Sequence, residues 1–586
     1  MTGPDADWRD GVLHSRRFGD VYFSRDGGLE EAQAVFLRGC GLPERWRGSS
    51  HFTVGELGFG TGLNVLALLD LWRHTRPPAG RLHIFSVEGY PLAHGDLARA
   101  LADWPALADL AAPLLSRWPG ATPGFHRIDW HDLKATLDLA ILDVETALHQ
   151  WDGKADAWFL DGFAPARNPE MWREPVLAQV ATHCAPGARL ATYSVAGDVR
   201  RGLAAQGFTV SRLPGFGRKR ERLEAQTAGE RAEPAVPCVA IIGAGIAGAA
   251  LARAFAALGV CATVFDAGPM ASGNPAALIS LRLMAGDSWE AQLCARAFQR
   301  SIALIRDTAP QAIIAHGMVR LERNAKDGPR FDRIAADHVL GPQALARIGA
   351  DDATKALGEP VAGGFIVPDA LTVDPQALRA AWLVGDVRPA RVLRLEQITG
   401  GWQVITAEDT VCYDVVCLAG GYATADLWPL PLEPMRGQVS HVETEQAVMA
   451  AAWGGYVVPT RTGALFGATH DRGDDRTDER ADDAGRNAAA LAAMLPDLAR
   501  RLHGRAIGST AGVRANTPDR QPVAGRLAPS LFTLTGLGGR GFMFAPLLAE
   551  HVAALALERP SPLPVAIAAS ISPTRWTLAP DIPITG

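Results

Sequence analysis

The sequence predicts an α/β protein with two Rossmann-type nucleotide-binding domains in tandem. Two segments carry this prediction, His51–Trp72 and Val239–Asp266, because each has an apolar strand followed at once by a glycine-rich loop and an apolar helix. The length of 586 residues exceeds what one hydrophobic core organises, so several domains are expected. A hydrophobic fraction of 48% with 20% charged residues is typical of globular domains and excludes a disordered or fibrous chain.

The first glycine loop follows a strand predicted at His51–Val54 and has the pattern E-x-G-x-G-x-G. Glycine lets the backbone approach a ligand closely and adopt positive φ. The spacing differs from the dinucleotide fingerprint and resembles the S-adenosylmethionine (SAM) loop of Rossmann-like methyltransferases, and Glu88, which ends the next predicted strand, is the acid expected on the ribose. A glycine-rich turn without a ligand is the alternative. The candidate SAM residues in the loop and at the start of the helix are Glu56, Gly58, Gly60, Gly62 and Asn64.

The second loop carries the full dinucleotide fingerprint. An apolar strand at Val239–Ile242 continues into Gly243, Gly245 and Gly248, spaced G-x-G-x-x-G, and the next strand ends in Asp266. In this motif the glycines permit a tight turn, the diphosphate lies on the helix N-terminus and the acid binds the ribose. An acid at this place favours a free 2′-hydroxyl, so FAD and NAD are the candidates rather than NADP.

Two later segments favour FAD over NAD. One is a small-residue loop with Ser272, Gly273 and Asn274, and the other is a glycine loop between a strand at Leu531–Thr535 and a late helix. In glutathione-reductase-like flavoproteins such a strand rejoins the first sheet, and its helix dipole stabilises negative charge on the reduced flavin. An ordinary turn between strand and helix is the alternative. The residues predicted to face the flavin are Gly538, Gly539, Arg540 and Gly541.

A polar, charged and proline-containing segment without apolar periodicity separates the two glycine loops. We therefore predict three regions along the chain: a methyltransferase domain at 1–223, a linker at 224–237 and an FAD-dependent oxidoreductase domain at 238–586.

Within the second domain, Val411–Thr424 is predicted as another strand of the nucleotide-binding sheet. Residues 286–365 and 430–505 are predicted to build an α+β substrate cap. The charge-rich run His470–Asn487 is predicted as a solvated loop.

An acid beside the methyl group is expected of a nitrogen methyltransferase. Asp161 opens the segment D-G-F-A-P directly after the apolar run Ala157–Leu160. An amine attacks a methyl group through its lone pair, so it must be neutral or lose a proton on the way. A carboxylate within hydrogen-bond reach orients the amine and takes that proton, which makes Asp161 the predicted catalytic residue. An aspartate that helps to form a turn is the alternative.

Longer motifs resemble one family, the bacterial bifunctional tRNA 5-methylaminomethyl-2-thiouridine biosynthesis proteins. In the first domain the matching segments are DAWFLDGFAPARNPEMW, LATYSVAGDVRRGLAAQGFTV and GFGRKRERL. SRRFGDVYFS, VEGYPL, ASGNPAAL, MRGQVS and GVRANTPDRQPVAG also resemble that family, and the matches run in order from about residue 15 to residue 550. One departure is Leu281 before Arg282, because the family more often has a proline before the basic residue.

The resemblance implies two consecutive reactions on one wobble uridine of the tRNA anticodon loop. The FAD-dependent domain oxidises a carboxymethylaminomethyl group at its C–N bond and leaves an aminomethyl group. The SAM-dependent domain then methylates that primary amine. Arg514 stands where related glycine oxidases carry a carboxylate-binding arginine, so the resemblance makes it a second catalytic candidate. A surface arginine or a structural ion pair is the alternative.

A basic cluster in GFGRKRER is a candidate for contact with tRNA phosphates, and a solvated helix or strand edge is the equal alternative. Phe163 is a candidate for stacking on a base, whereas Trp158 is expected in the core. The net charge of −6 neither indicates nor excludes a nucleic-acid binder. The cluster and its neighbours in sequence are Arg218, Lys219, Arg220, Arg222, Arg200 and Arg201.

The remaining features predict a cytoplasmic monomer without a metal site. The seven cysteines include no C-x-x-C pair, which argues for reduced thiols and against zinc. The N-terminus lacks the apolar core of a signal peptide, and the longest apolar stretch, Val239–Val260, contains Arg253 and several glycines. We expect tRNA as the partner, and neither DNA nor a membrane.

Two other functions stay open from the residues alone. One is a small-molecule amine or glycine oxidase fused to an N-methyltransferase, which would turn over free glycine or sarcosine as readily as tRNA. The other is a tRNA-binding protein with inactive sites, which would purify without flavin and would not bind SAM. The intact glycine loops argue against the second of these.

Overall fold

The computed structural model of the chain describes residues 6–23, 27–217, 220–233, 235–268, 270–340 and 344–576. It divides into two compact units. The first comprises Met1–Ala235 and Arg559–Val565, and the second comprises Val236–Glu558 and Ala566–Gly586.

The predicted linker starts inside a strand of the first unit, Glu221–Gln226. Leu223 and Ala225 alternate there as buried apolar residues, and this period of two lets one face of the strand join the core. Further along, Arg231 Nη1 lies 2.6 Å from the buried Asp156 carboxylate. The prediction of a linker from residue 224 is therefore wrong for its first part, because charged residues between the apolar ones concealed the strand.

The first unit is built on a three-stranded and an eight-stranded sheet with helices. Its strands are β1 (Ala6–Arg9), β2 (Val12–Ser15), β3 (Asp20–Val21), β4 (His51–Leu57), β5 (Arg81–Glu88), β6 (Gly124–Trp130), β7 (Ala135–Ile141), β8 (Ala155–Leu160), β9 (Cys184–Thr192), β10 (Thr209–Pro214) and β11 (Glu221–Gln226). Its helices are α1 (Gly28–Ala32), α2 (Leu63–Thr75), α3 (His94–Leu101), α4 (Ala108–Ser116), α5 (Val144–Gln150), α6 (Glu174–Thr182) and α7 (Gly197–Ala205).

The centre of the large sheet is parallel, in the order β10-β11-β9-β8-β4-β5-β7-β6. β4 pairs in parallel with β5 on one side and with β8 on the other. The next parallel strand, β5, and the later strand β8 therefore lie on opposite sides of β4, which makes β4 a topological switch point. In open α/β sheets, ligands bind at the carboxyl ends of the strands at such a point.

The middle strands are apolar along their whole length because both faces of the sheet are covered. In β8, Ala157 and Phe159 belong to one hydrophobic cluster, whereas Trp158 and Leu160 belong to the cluster on the other face. Trp158 is 0% exposed, which confirms that it is a core residue.

The second unit has a nucleotide-binding layer and a cap. Its strands are β12 (Val239–Ile242), β13 (Ala262–Phe265), β14 (Ala277–Ile279), β15 (Ile313–Leu321), β16 (Ala346–Ile348), β17 (Gly364–Val373), β18 (Asp386–Arg388), β19 (Arg394–Ile398), β20 (Gly401–Ile405), β21 (Thr410–Tyr413), β22 (Val415–Leu418), β23 (Glu433–Glu443), β24 (Ala451–Ala452), β25 (Tyr456–Pro459), β26 (Gly463–Gly467), β27 (Asp471–Arg472), β28 (Ile507–Asn516), β29 (Val523–Ala528) and β30 (Leu531–Thr535). Its helices are α8 (Ile246–Ala257), α9 (Trp289–Thr308), α10 (Asp327–Ala336), α11 (Ala350–Leu357), α12 (Pro375–Trp382), α13 (Ala481–Met494), α14 (Pro496–Leu502), α15 (Gly541–Ala556) and α16 (Val565–Ile571).

Three sheets organise this unit. The nucleotide-binding sheet has the order β18-β13-β12-β22-β30-β29, with β22 and β30 parallel to β12. The strand predicted within Val411–Thr424 is therefore present as β22, and the late strand β30 lies in the same sheet as the first. A ten-stranded sheet forms the cap, in the order β14-β17-β15-β24-β25-β26-β23-β27 with β16 paired to β17 and β28 paired to β23, and β19-β20-β21 form a small third sheet.

The charge-rich run His470–Asn487 was predicted as a solvated loop, and the structure agrees only for residues 473–480, which have no regular structure and are mostly exposed. The run also contains β27 and the start of α13, in which Asp483 and Asn487 are only 5% and 3% exposed. The Asp483 carboxylate forms a short ion pair with Arg436, whose side chain is fully buried. The prediction was wrong for the α13 part of the run because a buried arginine on a distant strand supplies the partner that lets Asp483 leave water.

The cysteines and the helices bear on the predictions about thiols and about a membrane. Each of the seven cysteines is a free thiol. Among the helices that the structure describes, none combines the length and apolar composition needed to cross a bilayer.

Candidate active sites

The first candidate site lies at the carboxyl ends of β4, β5 and β8. Glu56 lies near the end of β4, Glu88 ends β5, and Asp161 directly follows β8. These strands are parallel neighbours, so their ends meet at one edge of the sheet. The fold thereby brings together the three acids that the sequence singled out.

Glu56 is fully buried, and its Oε1 has no hydrogen-bond partner among the described residues. Its Oε2 accepts a hydrogen bond from the Ser86 hydroxyl at 2.5 Å. Burial raises the pKa of Glu56 to about 8, although the Ser86 bond opposes the shift. A buried carboxyl group with an unsatisfied oxygen fits a cationic ligand, and SAM carries both an ammonium and a sulfonium group.

Glu88 ties the glycine loop to the end of β5. Its Oε2 accepts from the Gly60 N–H at 2.8 Å, and its Oε1 accepts from the Tyr90 N–H at 2.7 Å. Burial raises the pKa of Glu88, and these backbone bonds oppose the shift. Each carboxylate oxygen has more than one acceptor position, so the residue fits the predicted ribose contact as well.

The loop glycines have different reasons to be glycine. At Gly58, φ is +89° and a Cβ atom would lie 1.9 Å from the Asp161 carbonyl oxygen, so the backbones are too close for any side chain. At Gly60, φ is +56° and a Cβ atom would meet only Tyr22, at 3.6 Å. Gly62 is the N-cap of α2. The space at Gly60 leaves room for a ligand to approach the backbone.

Asp161 is held by a residue that the sequence assigned to the cofactor. The Asn64 side-chain amide donates to Asp161 Oδ2 at 2.7 Å. The Asp161 N–H donates to the Leu57 carbonyl oxygen at 3.1 Å, which fixes its backbone to the end of β4. Asn64 therefore positions the predicted catalytic carboxylate, whatever contact it makes with the cofactor.

Tyr193 belongs to this site and was missed in the sequence. Its hydroxyl donates a short hydrogen bond to the Gly162 carbonyl oxygen. Burial, and next the nearby Asp161 carboxylate, raise the pKa of the Tyr193 phenol, so it stays protonated. A signal existed, because Tyr193 directly follows β9, the parallel neighbour of β8, and its side chain is polar.

Aromatic rings surround the segment that follows Asp161. The rings of Phe18 and Phe163 are 4.9 Å apart, and those of Tyr22 and Phe163 are 5.3 Å apart. Tyr90 lies 5.5 Å from Phe18, and the Arg17 guanidinium lies 4.5 Å from the Tyr90 ring. Such a wall fits a flat base, so stacking by Phe163 stays a prediction with suitable neighbours.

The predicted basic cluster is only partly described. Arg218 and Lys219 lie outside the described residues. Arg222 pairs with a neighbouring glutamate at 2.7 Å, and Arg201 pairs with an aspartate at 2.5 Å. These acids reduce the net positive charge of the cluster. Two further members are exposed: Arg200 and Arg220.

The second candidate site begins at the loop between β12 and α8. A Cβ atom at Gly248 would lie 1.8 Å from the Gly243 carbonyl oxygen, and one at Gly243, where φ is +109°, would lie 2.7 Å from the Ala419 carbonyl oxygen. A Cβ atom at Gly245 would meet only the Ser272 hydroxyl, at 3.5 Å. Neighbouring backbone atoms therefore leave no room for a side chain at Gly248 or Gly243, whereas Gly245 leaves space for a diphosphate to approach.

The loop after β13 closes on the start of α8. The Ser272 hydroxyl accepts from the Ile246 N–H at 3.1 Å, and Gly273 and Asn274 follow in the same loop. Asp266, directly after β13, accepts weakly from the Gly268 N–H at 3.5 Å. These predicted FAD residues therefore gather at one end of the nucleotide-binding sheet.

The late glycine loop brings a second helix N-terminus to the same place. Gly538–Arg540 form a short 3₁₀ turn after β30, and α15 starts at Gly541. A Cβ atom at Gly541 would lie 3.2 Å from the Ile246 side chain in the first turn of α8, whereas one at Gly539 would meet nothing within 4 Å. Two helix N-termini at one position fit an anionic cofactor such as FAD.

Arg514 lies on β28 in the cap, flat against the backbone of β23. A Cβ atom at Gly437 would lie 2.6 Å from Arg514 Nη2. Arg514 Nη1 is buried and has no partner among the described residues, and burial lowers the pKa of the guanidinium. A buried cation with an unsatisfied donor fits a carboxylate ligand.

Two further side chains near Arg514 were missed in the sequence. Burial raises the pKa of Tyr456, and the Arg514 charge opposes this shift. Burial, and next the Arg514 charge, lower the pKa of His470, which is therefore neutral at pH 7. No local signal could have found them, because pairing within the cap sheet places them beside Arg514.

Comparisons with known proteins agree with both predicted domains. The family model of S-adenosyl-L-methionine-dependent methyltransferases matches residues 105–228, and that of FAD dependent oxidoreductases matches residues 238–555. A protein of a Caulobacter species is 52% identical over 98% of this chain and 99% of its own length. One from Caulobacter vibrioides is 49% identical over 99% and 98%. Both are called tRNA 5-methylaminomethyl-2-thiouridine biosynthesis bifunctional protein.

Solved structures add a likeness of fold. An iminodiacetate oxidase from a Chelativorans species is 21% identical, with a TM-score of 0.50 over 57% of this chain and 98% of its own. L-proline dehydrogenase from P. horikoshii is 18% identical, with a TM-score of 0.50 over 58% and 98%. The predicted fold class, with a methyltransferase domain and an FAD-dependent oxidoreductase domain, is confirmed.

Proposed function

The chain belongs to the family of bifunctional tRNA 5-methylaminomethyl-2-thiouridine biosynthesis proteins, and from that premise we propose how its residues modify one wobble uridine of tRNA. The chain is an FAD-dependent oxidoreductase and a SAM-dependent methyltransferase. It removes the carboxymethyl part of 5-carboxymethylaminomethyl-(2-thio)uridine by oxidation and then methylates the 5-aminomethyl product.

The buried Arg514 carries the proposal, because its Nη1 has no hydrogen-bond partner in the part of the chain that the structure describes. The substrate group is an N-substituted glycine, and its carboxylate needs a cation that lies away from competing water. Arg514 would bind this carboxylate and orient the adjacent methylene group, with Tyr456 and neutral His470 beside it. Bound FAD supplies the acceptor for the electron pair.

The oxidation breaks one C–H bond of that methylene group. The hydrogen leaves with its electron pair, and a C=N bond forms with the nitrogen of the aminomethyl group. Water adds to this bond, which then splits into the primary amine and a two-carbon oxo acid. Dioxygen is the proposed final oxidant. The first reaction thus produces the nucleophile of the second.

Asp161 is the proposed base of the second reaction. Asn64 and the backbone of β4 hold it at the edge of the sheet. A carboxylate in this position accepts a hydrogen bond from the amine and takes the proton that methylation releases. SAM supplies the methyl group, and Glu56, Gly58, Gly60, Gly62 and Glu88 are the proposed residues that hold it.

Nucleoside mass spectrometry of treated tRNA tests the proposal. Without SAM, tRNA that bears 5-carboxymethylaminomethyl-uridine should gain 5-aminomethyl-uridine. With SAM, it should gain 5-methylaminomethyl-uridine. If neither nucleoside forms with the FAD-loaded protein, the proposed function is wrong.

Free glycine and sarcosine test the small-molecule alternative. Contacts with the rest of tRNA contribute to catalysis only for the tRNA substrate, so we expect kcat/KM for tRNA to exceed that for free glycine by on the order of 100-fold. Comparable values, measured by peroxide release, would favour the small-molecule oxidase.

We further propose that the protein acts as a cytoplasmic monomer. Seven free thiols are typical of a reducing compartment. Light scattering after gel filtration should give a single mass near 62.2 kDa. A dimer mass at micromolar concentration would contradict the monomer.

A further inference from the structure

A cationic pocket of about 210 Å³ lies in the cap of the second unit. Arg320 stands near the end of β15, Arg323 follows that strand, and Arg330 lies on α10. Asp327 is the single acid among the described residues of the lining, and Phe331 and Trp453 contribute buried aromatic rings. All these elements belong to the cap and not to the nucleotide-binding sheet.

The pocket has more positive charge than its own acid can balance. Asp327 Oδ2 accepts from the Arg323 backbone N–H at 2.9 Å, and Oδ1 lies 4.0 Å from Arg330 Nη1. One carboxylate thus faces three guanidinium groups. The neighbouring Arg347 shows the contrast, because it pairs with both Glu322 and Asp332.

Of the three arginines, Arg320 is the one whose surroundings most destabilise a positive charge. Its Nε is buried and has no hydrogen-bond partner among the described residues. Burial, and next the positive charges of Arg540 and Arg330, lower the pKa of its guanidinium. A cation that has lost water and faces other cations is stabilised by an anionic ligand.

The positive charge of Arg540 lowers the pKa of Arg320, so the pocket lies within electrostatic range of the predicted flavin loop. Arg540 belongs to the loop that is predicted to face the flavin. The substrate proposed for that site has two kinds of anion, the carboxylate of its glycine-like group and the phosphodiesters on either side of the nucleoside. Arg514 is the proposed partner of the carboxylate, which leaves a phosphodiester for the pocket.

We propose that the pocket formed by Arg320, Arg323 and Arg330 binds a phosphodiester of the tRNA anticodon loop next to the wobble nucleotide. This inference rests on the proposed function. Guanidinium groups match the geometry of phosphate oxygens, and phosphate contacts fix the register of a nucleic acid without reading its bases. The pocket thereby positions the modified base for oxidation.

The test compares two substrates of the FAD-loaded, full-length protein. One is tRNA that bears 5-carboxymethylaminomethyl-uridine, and the other is the free nucleoside, which has no phosphate. In the double variant Arg323→Gln/Arg330→Gln, we expect KM for tRNA to rise at least about tenfold. The slope of log KM against log salt concentration should fall by about 0.7 for each arginine removed. Oxidation of the free nucleoside should not change.

Arg306→Gln is the matched control. Arg306 is an exposed arginine of the same unit, paired with Asp369 at 2.9 Å, and its loss should leave KM for tRNA unchanged. An unchanged KM in the double variant would overturn the inference, and so would an equal loss with the free nucleoside.

A third arm distinguishes tRNA from a small anion. Inorganic phosphate can be tested for its effect on the unfolding temperature of the full-length wild-type protein. If phosphate raises that temperature but the double variant keeps its KM for tRNA, the pocket binds a free anion and the inference is wrong. If the wild-type protein oxidises the nucleoside but not tRNA, the proposed function fails instead.

Discussion

At the residue scale, burial raises the pKa of Glu56, whose side chain is 0% exposed, and thereby favours its protonated form. Its folded-state pKa of about 8 lies above the ordinary value of 4.5. Between these values the folded protein without SAM binds more protons than the unfolded chain. The stability associated with neutral Glu56 is therefore fully present below pH 4.5 and is lost as the pH rises toward about 8.

This protonation predicts that SAM binding releases a proton. The cationic groups of SAM favour ionised Glu56, so affinity should rise with pH up to about 8. Calorimetry at neutral pH in buffers of different ionisation enthalpy should show the release of about one proton in the wild type and much less in Glu56→Gln. Release that persists in Glu56→Gln would assign the proton to another acid, such as Glu88.

Asp161→Asn should separate the two reactions. The amide keeps the shape of the side chain but takes no proton, so methylation should fall by about 100-fold or more while oxidation continues. Nucleoside analysis should then show 5-aminomethyl-uridine even with SAM present. Asp143→Asn, which keeps a capping side chain at the start of α5, is the control that should retain both activities. Loss of both reactions in Asp161→Asn would indicate a folding defect.

Gly437→Ala should damage the oxidation site without changing its charge. The new Cβ atom would lie 2.6 Å from Arg514 Nη2 and would displace the guanidinium from β23. We expect oxidation to fall by about tenfold or more, with methylation unchanged. Gly485→Ala is the matched control, because nothing lies within 4 Å of that Cβ position on α13. Equal oxidation rates in the two variants would contradict the role of Arg514.

At the scale of elements, the turn between β12 and α8 serves packing and ligand binding through different glycines. Gly248→Ala would place a Cβ atom 1.8 Å from the Gly243 carbonyl oxygen, so it should lower the unfolding temperature even without FAD. Gly245→Ala meets only Ser272 at 3.5 Å, so it should keep that temperature but weaken FAD binding by about tenfold or more. Thermal unfolding of the FAD-free protein and flavin absorbance measure the two effects. A Gly245→Ala protein that binds FAD as the wild type does would contradict the ligand role.

The strand-loop-helix units could be predicted because their signals are local. The glycines near Gly58 and Gly245, and the acids that end the next strands, lie within one short segment each, where steric rules decide the conformation. The sequence therefore indicated β4 with α2, β12 with α8 and β30 with α15.

Contacts between distant segments could not be predicted in this way. Asn64 binds Asp161 because parallel pairing of β4 and β8 joins their ends. Arg514 lies over Gly437 because β28 pairs with β23. Such pairing depends on the packing of the whole unit, and no local pattern around Arg514 reveals it.

At the scale of the whole molecule, the net charge of −6 repels tRNA on average. Attraction must therefore come from local sites such as the three-arginine pocket, and association should weaken as salt screens them.

The first unit includes a segment from far along the chain, and this predicts how truncation affects it. Within that unit the Ser561 N–H donates to Asp152 Oδ1 at 3.0 Å, and Arg559 Nη2 lies 3.2 Å from His51 Nδ1. A protein of residues 1–235 should unfold at a temperature roughly 5 °C lower than the same protein joined by a glycine linker to residues 559–565. Differential scanning calorimetry measures this, and equal temperatures would show that the segment adds no stability.

The position of this segment in the chain also determines the order in which the two units are completed during synthesis. A ribosome that has made Ala235 must add roughly 320 more residues before it incorporates Arg559, which takes about 15 to 65 s at ordinary rates of synthesis. An interrupted message thus yields a methyltransferase without its last piece. The half that consumes the amine is completed only after nearly all of the half that produces it has been translated.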